Sequence, residues 1–173
     1  LVAAAGFINK VPEIVKEYGN EFTVATVGTI KVTPHSVNVI PGTCTFSLEI
    51  RDQSAEVMKL IENHLRQLLE DICKKYGVTS TFVPTSYHDP APMSELVRGT
   101  IEEAVKELGI DYTVIPSGAF HDSLIMTSVF PTGMIFVPSK DGISHSRYEY
   151  TAPEDIENGC NVLLNTVIKL DEK

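Results

Sequence analysis

"TCTFSLEIRDQSAEVMKLIENHLRQLLEDICKKYG", residues 43–77, sets a strand and a helix end to end, and their junction decides how the first half of the chain folds. In its first nine residues apolar and polar side chains alternate without a fault. Cys44, Phe46, Leu48 and Ile50 point one way, and Thr45, Ser47, Glu49 and Arg51 the other. A period of two is that of a half-buried strand, and Pro41-Gly42 supplies the turn before it. At Ser54 the period changes. Val57, Leu60, Ile61, Leu65, Leu68, Leu69, Ile72 and Cys73 recur at i, i+3, i+4, i+7, with Ser54 suited to cap the helix start and Gly77 to end it.

Upstream, Val2, Ala5, Ile8, Val11 and Val15 predict a helix over about residues 1–18, stopped near Tyr18-Gly19-Asn20. Residues 21–34 are rich in Val, Thr and Ile and read as a strand, with Ile30 and Val32 on one face and Lys31 and Thr33 on the other. "VTSTFVPT" (78–85) reads as one more strand. The resulting order, helix, strand, strand, helix, strand, is a ferredoxin-like βαββαβ unit without its first strand. The chain also opens on Leu1 in a helical pattern, "LVAAAGFI", and both features suggest a portion of a longer protein.

"HDPAPMS" (88–94) holds three turn-formers and no periodicity, which places a boundary there: 1–87 and 88–173. In the second region Ser94 opens a helix with Leu96, Val97, Ile101, Ala104, Val105 and Leu108 on one side, closed by Gly109. "YTVIPSG" (112–118) and "GMIFVPS" (133–139) read as short strands buried on both faces. Thr151 and Glu154 form a capping box for a last helix whose apolar side is Ile156, Cys160, Leu163, Leu164 and Val167.

Fourteen Lys and Arg against 23 Asp and Glu give a net charge of −9 with no basic cluster, which argues against nucleic acid and anionic membrane as partners. No stretch reaches the roughly 18 apolar residues of a membrane span, and no leader pattern opens the chain. Cys44, Cys73 and Cys160 lie far apart in apolar patterns, as expected of buried free thiols in a cytoplasmic protein.

Polar residues collect after the two short apolar runs: "SGAFHDS" (117–123) after the first and "SKDGISHS" (139–146) after the second. In α/β sheets sites lie at such strand ends. A zinc site takes roughly four ligands, and a paired-metal site more, including a bridging carboxylate. His121, Asp122 and His145 are too few to close one, and no HExxH or CxxC pair occurs. A serine nucleophile is disfavoured because no GxSxG elbow is present. By their residues alone Arg51 is a solvent-facing strand position and Asn38 a turn position; His64 lies on the apolar edge of its helix, and His35 and His88 sit in turns.

"VGTIKVTPHSVNVIPGTCTFSLEIRD" (27–52), "PSGAFHDS" (116–123) and "GMIFVPSKDGISHSRYEYT" (133–151) together resemble the C-terminal portion of the amidase, hydantoinase/carbamoylase family. That family is the branch of the M20 zinc aminoacylase superfamily containing N-carbamoyl-L-amino acid hydrolases, β-ureidopropionases and allantoate amidohydrolases. The resemblance runs along essentially the whole chain. It implies an α+β and α/β protein: a partial ferredoxin-like lid that also makes a homodimer (1–87), then the C-terminal segment of an α/β metallo-hydrolase catalytic domain (88–173). It implies two divalent ions, zinc or manganese, in the full-length parent, and a small ureido or N-carbamoyl acid as substrate. By the same resemblance His145 is a metal ligand, His121 is catalytic and contacts the substrate beside the metals, and Asn38 and Arg51 bind the substrate carboxylate.

Two positions depart from the family pattern. Phe120 stands where the loop usually has Gly, and Arg147 where Pro commonly follows "SHS". The family's other metal ligands, its general-base Glu and the lid histidine of an "HAG" motif have no counterpart in this chain. The expected parent is therefore a metal-dependent amidohydrolase acting on non-peptide carbon-nitrogen bonds, of which this chain alone is inactive and binds no metal tightly. The competing readings are a non-catalytic dimerisation or binding module, and an aminoacylase or dipeptidase of the same superfamily.

Overall fold

Ile61 and Leu65, four residues apart on the second helix, are wholly buried, and the first half of the molecule is arranged around them. The computed structural model describes residues 1–172 and separates into two compact units, Leu1–Pro90 and Ala91–Lys173. In the first unit the order is α1 (Val2–Tyr18), β1 (Val24–Thr26), β2 (Ile30–Thr33), β3 (Thr43–Phe46), β4 (Glu49–Arg51) and α2 (Ala55–Tyr76).

Helix α2 starts where the sequence predicts. Ser54 is its N-cap, its hydroxyl accepting from the Val57 N–H, and Gly77 ends it in the left-handed conformation at φ 63° that glycine adopts without a Cβ clash. Its buried stripe, Ile61, Leu65 and Ile72, packs on Phe7 and Val11 of α1, with Phe46, Leu48 and Ile50 of the hairpin laid against the same cluster. Phe7 and Phe46 meet at 5.5 Å between ring centroids. His64 stacks on Tyr18 at 3.5 Å, so it is a packing residue on the edge of the core.

The two expected strands are each cut in two. β1 pairs antiparallel with β4 (Thr26↔Glu49) and β2 with β3 (Ile30↔Phe46), so residues 27, 28 and 29 face only 47 and 48. One extra residue on one arm is a bulge, and it breaks the ladder into a pair of two-stranded sheets. Ser47 bridges the gap: its N–H donates to the Thr29 carbonyl at 3.2 Å and its hydroxyl accepts from the Thr29 N–H at 3.1 Å. Along 44–51 the alternation of partly buried and exposed side chains runs through the break unchanged.

Residues 78–85 form no strand. Strand propensity needs a neighbouring edge to become a ladder, and this run is held by a side chain instead: the Arg66 guanidinium lies 3.7 Å over the Phe82 ring. The observed unit is thus a helix, a bulged hairpin and a helix.

In the second unit α3 (Glu95–Glu107), α4 (Asp122–Met126) and α5 (Pro153–Asp171) are joined by extended segments, with a 3-10 turn at Lys140–Gly142. Helices α3 and α5 pack together through buried Thr100, Ala104 and Val105 on one and Val162 and Thr166 on the other. Both buried hydroxyls are satisfied by the carbonyl four residues back, Thr100 by Leu96 at 2.9 Å and Thr166 by Val162 at 2.7 Å. The run at 133–137 lies close against both helices: a Cβ on Gly133 would meet Val97 at 2.7 Å, and one on Gly159 would meet Val137 at 2.5 Å. Tyr112 is tied to α3 by donating to Glu102 at 2.6 Å; Lys106 first, and then Tyr112, hold the Glu102 carboxyl below the ordinary range.

Four expectations are corrected here. The runs 112–118 and 133–139 form no strands, and Val114, Ile115 and Phe136 are exposed, because a strand buried on both faces requires flanking strands and no ladder reaches these runs. The buried side of α5 is Val162 and Thr166, while Ile156, Leu163, Leu164 and Val167 are each at least half exposed. No capping box forms: Pro153, with φ set for a first helical residue, starts α5 and leaves Ala152 as N-cap, one residue beyond Thr151. The three cysteines are free, but Cys160 is exposed and Cys44 and Cys73 are only half-buried.

Two predictions follow from this packing. Leu65→Ala removes buried side chain from the first unit's core and is expected to cost about 2–5 kcal/mol in chemical denaturation, whereas Leu164→Ala, at an exposed position, should change stability by no more than about 0.5 kcal/mol. Glu62 pairs with Lys59 at 2.9 Å and Arg66 at 2.6 Å, and these cations, Lys59 first, hold its carboxyl below the ordinary range. A depressed folded pKa means the contribution is complete above the ordinary glutamate value and is lost as pH falls through the folded one. The stability gap between wild type and Glu62→Gln should therefore be at most about 1 kcal/mol at neutral pH, since both cations still reach solvent, and should narrow as pH falls below the ordinary glutamate value; a gap unchanged by acidification would contradict the pairing.

Candidate functional site

Asn38 and Arg51 belong to the first unit, His121 and His145 to the second. Arg51 ends β4, opposite Val24, with its side chain on the solvent face of the hairpin. Its guanidinium bonds both carboxylate oxygens of Glu49, the residue two positions back on the same face, at 2.8 and 2.9 Å. Asn38 sits in the 34–42 turn at the other end, where Thr33 faces Thr43, and its Oδ1 accepts from the Ser36 hydroxyl at 2.9 Å. Eight residues separate Thr43 from Arg51, up to about 26 Å of strand. The two side chains therefore do not converge within this chain, contrary to what a shared carboxylate contact by one copy requires.

Asp52, directly after Arg51, is a residue that sequence reasoning passed over. It accepts from the Thr23 hydroxyl, from Asn20 Nδ2 at 3.3 Å and from the Ser54 N–H at 2.8 Å. One carboxylate thereby joins the end of α1, the start of β1 and the start of α2, and fixes where Arg51 leaves the sheet. An Asp two residues before a helix cap was the available signal.

His121 is the N-cap of α4, with an extended backbone and no capping bond from its imidazole. Its ring meets Phe136 edge-on at 5.8 Å, and two residues along Ser123 donates to the Met134 sulfur at 2.9 Å. The loop "SGAFHDS" and the run "GMIFVPS" are thus in contact through named side chains. The apolar concavity of this unit, about 400 Å³, lies elsewhere, between α3, α5 and the 133–137 run, and neither histidine lines it.

His145 lies in a loop of tight turns. Asp141 and His145 both have positive φ, 57° and 54°, and Gly142 has 67°. For a residue with a Cβ the left-handed region costs about 1–2 kcal/mol, so this backbone is held in place by its neighbours. The His145 N–H donates to Glu149 at 2.9 Å, and the Glu149 N–H donates to the Ser146 carbonyl at 3.0 Å. Arg147, where a proline was expected, donates to the Tyr148 hydroxyl and lies 4.7 Å over that ring. The imidazole itself makes no hydrogen bond or ring contact among the described residues. No ion pair or hydrogen bond joins it to His121.

An exposed imidazole with both nitrogens unengaged suits one coordination position of a divalent ion. Among the described residues no three His, Cys, Asp or Glu side chains come together to hold a metal, so the residues of this chain fit a single ligand and not a whole site.

Residues 8–169 match peptidase family M20/M25/M40. The chain belongs to that family. It is 38% identical over 98% of its length to the N-carbamoyl-L-amino acid amidohydrolase of Geobacillus stearothermophilus, and 34% identical over 84% to the allantoate amidohydrolase of Bacillus subtilis. Among solved structures, AtUAH in complex with (S)-hydroxyglycine superposes with a TM-score of 0.92 at 34% identity, covering 99% of this chain and 41% of that one. An amidase of the hydantoinase/carbamoylase family from Burkholderia vietnamiensis gives 0.89 at 32% identity, covering 97% and 40%. The chain spans about two fifths of the length of the relatives it matches: 41% of the Geobacillus protein and 35% of the Bacillus one. Those named relatives are hydrolases of carbon-nitrogen bonds, and no described helix is long and apolar enough to cross a membrane.

Proposed function

We propose that this chain is the substrate-gripping and ligand-supplying portion of a cytoplasmic, metal-dependent amidohydrolase that cleaves carbon-nitrogen bonds of N-carbamoyl amino acids or related ureido acids such as allantoate. The observation that carries the proposal is the 38% identity to an N-carbamoyl-L-amino acid amidohydrolase over 98% of the chain. In this reading the first unit is the lid, which also forms a homodimer, and the second is a segment of the catalytic domain.

The roles follow from the chemistry of the side chains. His145 supplies one ligand to a pair of divalent ions, zinc or manganese, which when bound polarise the scissile carbonyl and activate water. Arg51 holds the substrate carboxylate through its guanidinium fork, exchanging part of its pairing with Glu49 for a pairing with substrate. His121, at the start of α4 and braced by Phe136, contacts the substrate at the reacting end. Asn38 is the further carboxylate contact. The hairpin sets it far from Arg51, so in a homodimer the two serve one carboxylate only if each copy supplies one of them.

Ammonia release from N-carbamoyl amino acids, allantoate and an uncharged ureido analogue, measured beside release of the free amino acid from N-acetyl amino acids, separates this reading from an aminoacylase. The intact hydrolase should turn over the carbamoyl or ureido acids, and the 173-residue chain alone should turn over none. Arg51→Ala should cost about 2–4 kcal/mol in kcat/KM on substrates with a free carboxylate and far less on the uncharged analogue. An equal loss on both would remove Arg51 from the carboxylate, and turnover of N-acetyl amino acids alone would replace the carbamoylase reading with the aminoacylase one.

A further inference from the structure

We infer that Glu149 is a positioning residue: its carboxylate holds the His145 backbone in the left-handed conformation that aims the imidazole. The inference rests on the proposed role of His145 as a metal ligand and extends it to a residue outside any assigned role. Three observations carry it. His145 has φ 54° although it is not glycine, so some interaction must hold it there. The His145 N–H donates to Glu149 Oε2 at 2.9 Å, in charge-assisted form. The carboxylate is brought back by a turn in which Glu149 N–H meets the Ser146 carbonyl at 3.0 Å and Tyr148 N–H meets the Ser146 hydroxyl at 3.2 Å.

The surrounding side chains leave Glu149 to this task. Arg147, the nearest cation in sequence, is turned onto the Tyr148 ring. On the other side, the Ser139 hydroxyl donates to the Ile143 carbonyl at 2.5 Å and the Lys140 N–H to the Tyr150 carbonyl at 2.8 Å, which closes the base of the loop. The ends are thus pinned by one side-chain and one backbone bond, and the crest that carries His145 is pinned by Glu149. Without the carboxylate, the His145 N–H turns to water and the backbone relaxes toward negative φ. The Cβ then points elsewhere, and the imidazole with it. Partners that orient a metal ligand without touching the metal typically matter by about 10–100-fold in metal affinity or activity.

Glu149→Ala and Glu149→Gln test this together with His145→Ala. In the intact hydrolase, zinc or manganese retention is measured by chelator competition alongside kcat and melting temperature. In the metal-free 173-residue chain, amide hydrogen exchange of residue 145 is measured. Glu149→Ala should lose about 10–100-fold in metal retention while the melting temperature of the metal-free protein stays unchanged, with the His145 amide exchanging freely. Glu149→Gln, whose amide oxygen can accept the same bond, should restore both. Wild-type retention and protection in Glu149→Ala would overturn the inference, as would a Glu149→Gln variant as impaired as the alanine one. If His145→Ala instead keeps full metal and activity, the ligand role fails, and the exchange measurement still decides whether Glu149 holds the backbone.

Discussion

The burial of one stripe of α2 against α1 and the inner face of the hairpin is the constraint on which the first unit depends. Phe7, Val11, Ile61 and Leu65 are each no more than 2% exposed, and the hairpin covers them with Phe46, Leu48 and Ile50. Once that face of residues 44–50 is fixed inward, the period of two fixes Glu49 and Arg51 outward. Asp52 then ties the strand end to α1 and α2 through Asn20, Thr23 and Ser54. The position of the guanidinium is therefore a consequence of apolar packing beneath it, and the Glu49 carboxylate beside it keeps it oriented.

What was legible in the sequence is what local chemistry decides. Ser54, the i, i+3, i+4 apolar spacing and Gly77 agree with one another, and α2 runs between those two caps. The inward and outward assignment of 44–51 also holds, because it needs only the pleat. The bulge at 27–29 was not legible, since it depends on register between two strands that are distant in sequence. The runs 78–85, 112–118 and 133–139 carry strand composition and form no strand for the same reason: a ladder is a property of two edges. On α5 the apolar period identified which residues are apolar and not which are covered, so Leu163 and Leu164 stand exposed while Thr166 is buried.

The site residues divide in the same way. His121 and His145 stood out by residue type in polar loops after apolar runs, and the structure joins the first loop to the second run through Phe136 and Met134. The left-handed backbone at His145 was hidden, because histidine has no intrinsic preference for it strong enough to read. The trace left in sequence was a carboxylate four positions after the histidine, across a turn of Ser, Arg and Tyr. Asn38 and Arg51 share a resemblance-based role, but the hairpin register separates them.

The chain belongs to peptidase family M20/M25/M40, and on the proposed reading its geometry is that of a contributor: one unengaged imidazole on a braced loop and one oriented guanidinium on a packed sheet. The measurement that bears most directly on this account is anomalous diffraction at the zinc or manganese edge from crystals of the intact hydrolase. The account predicts an ion with a nitrogen of His145 about 2.0–2.2 Å away. Ions whose coordination is complete with the His145 imidazole turned elsewhere would contradict it.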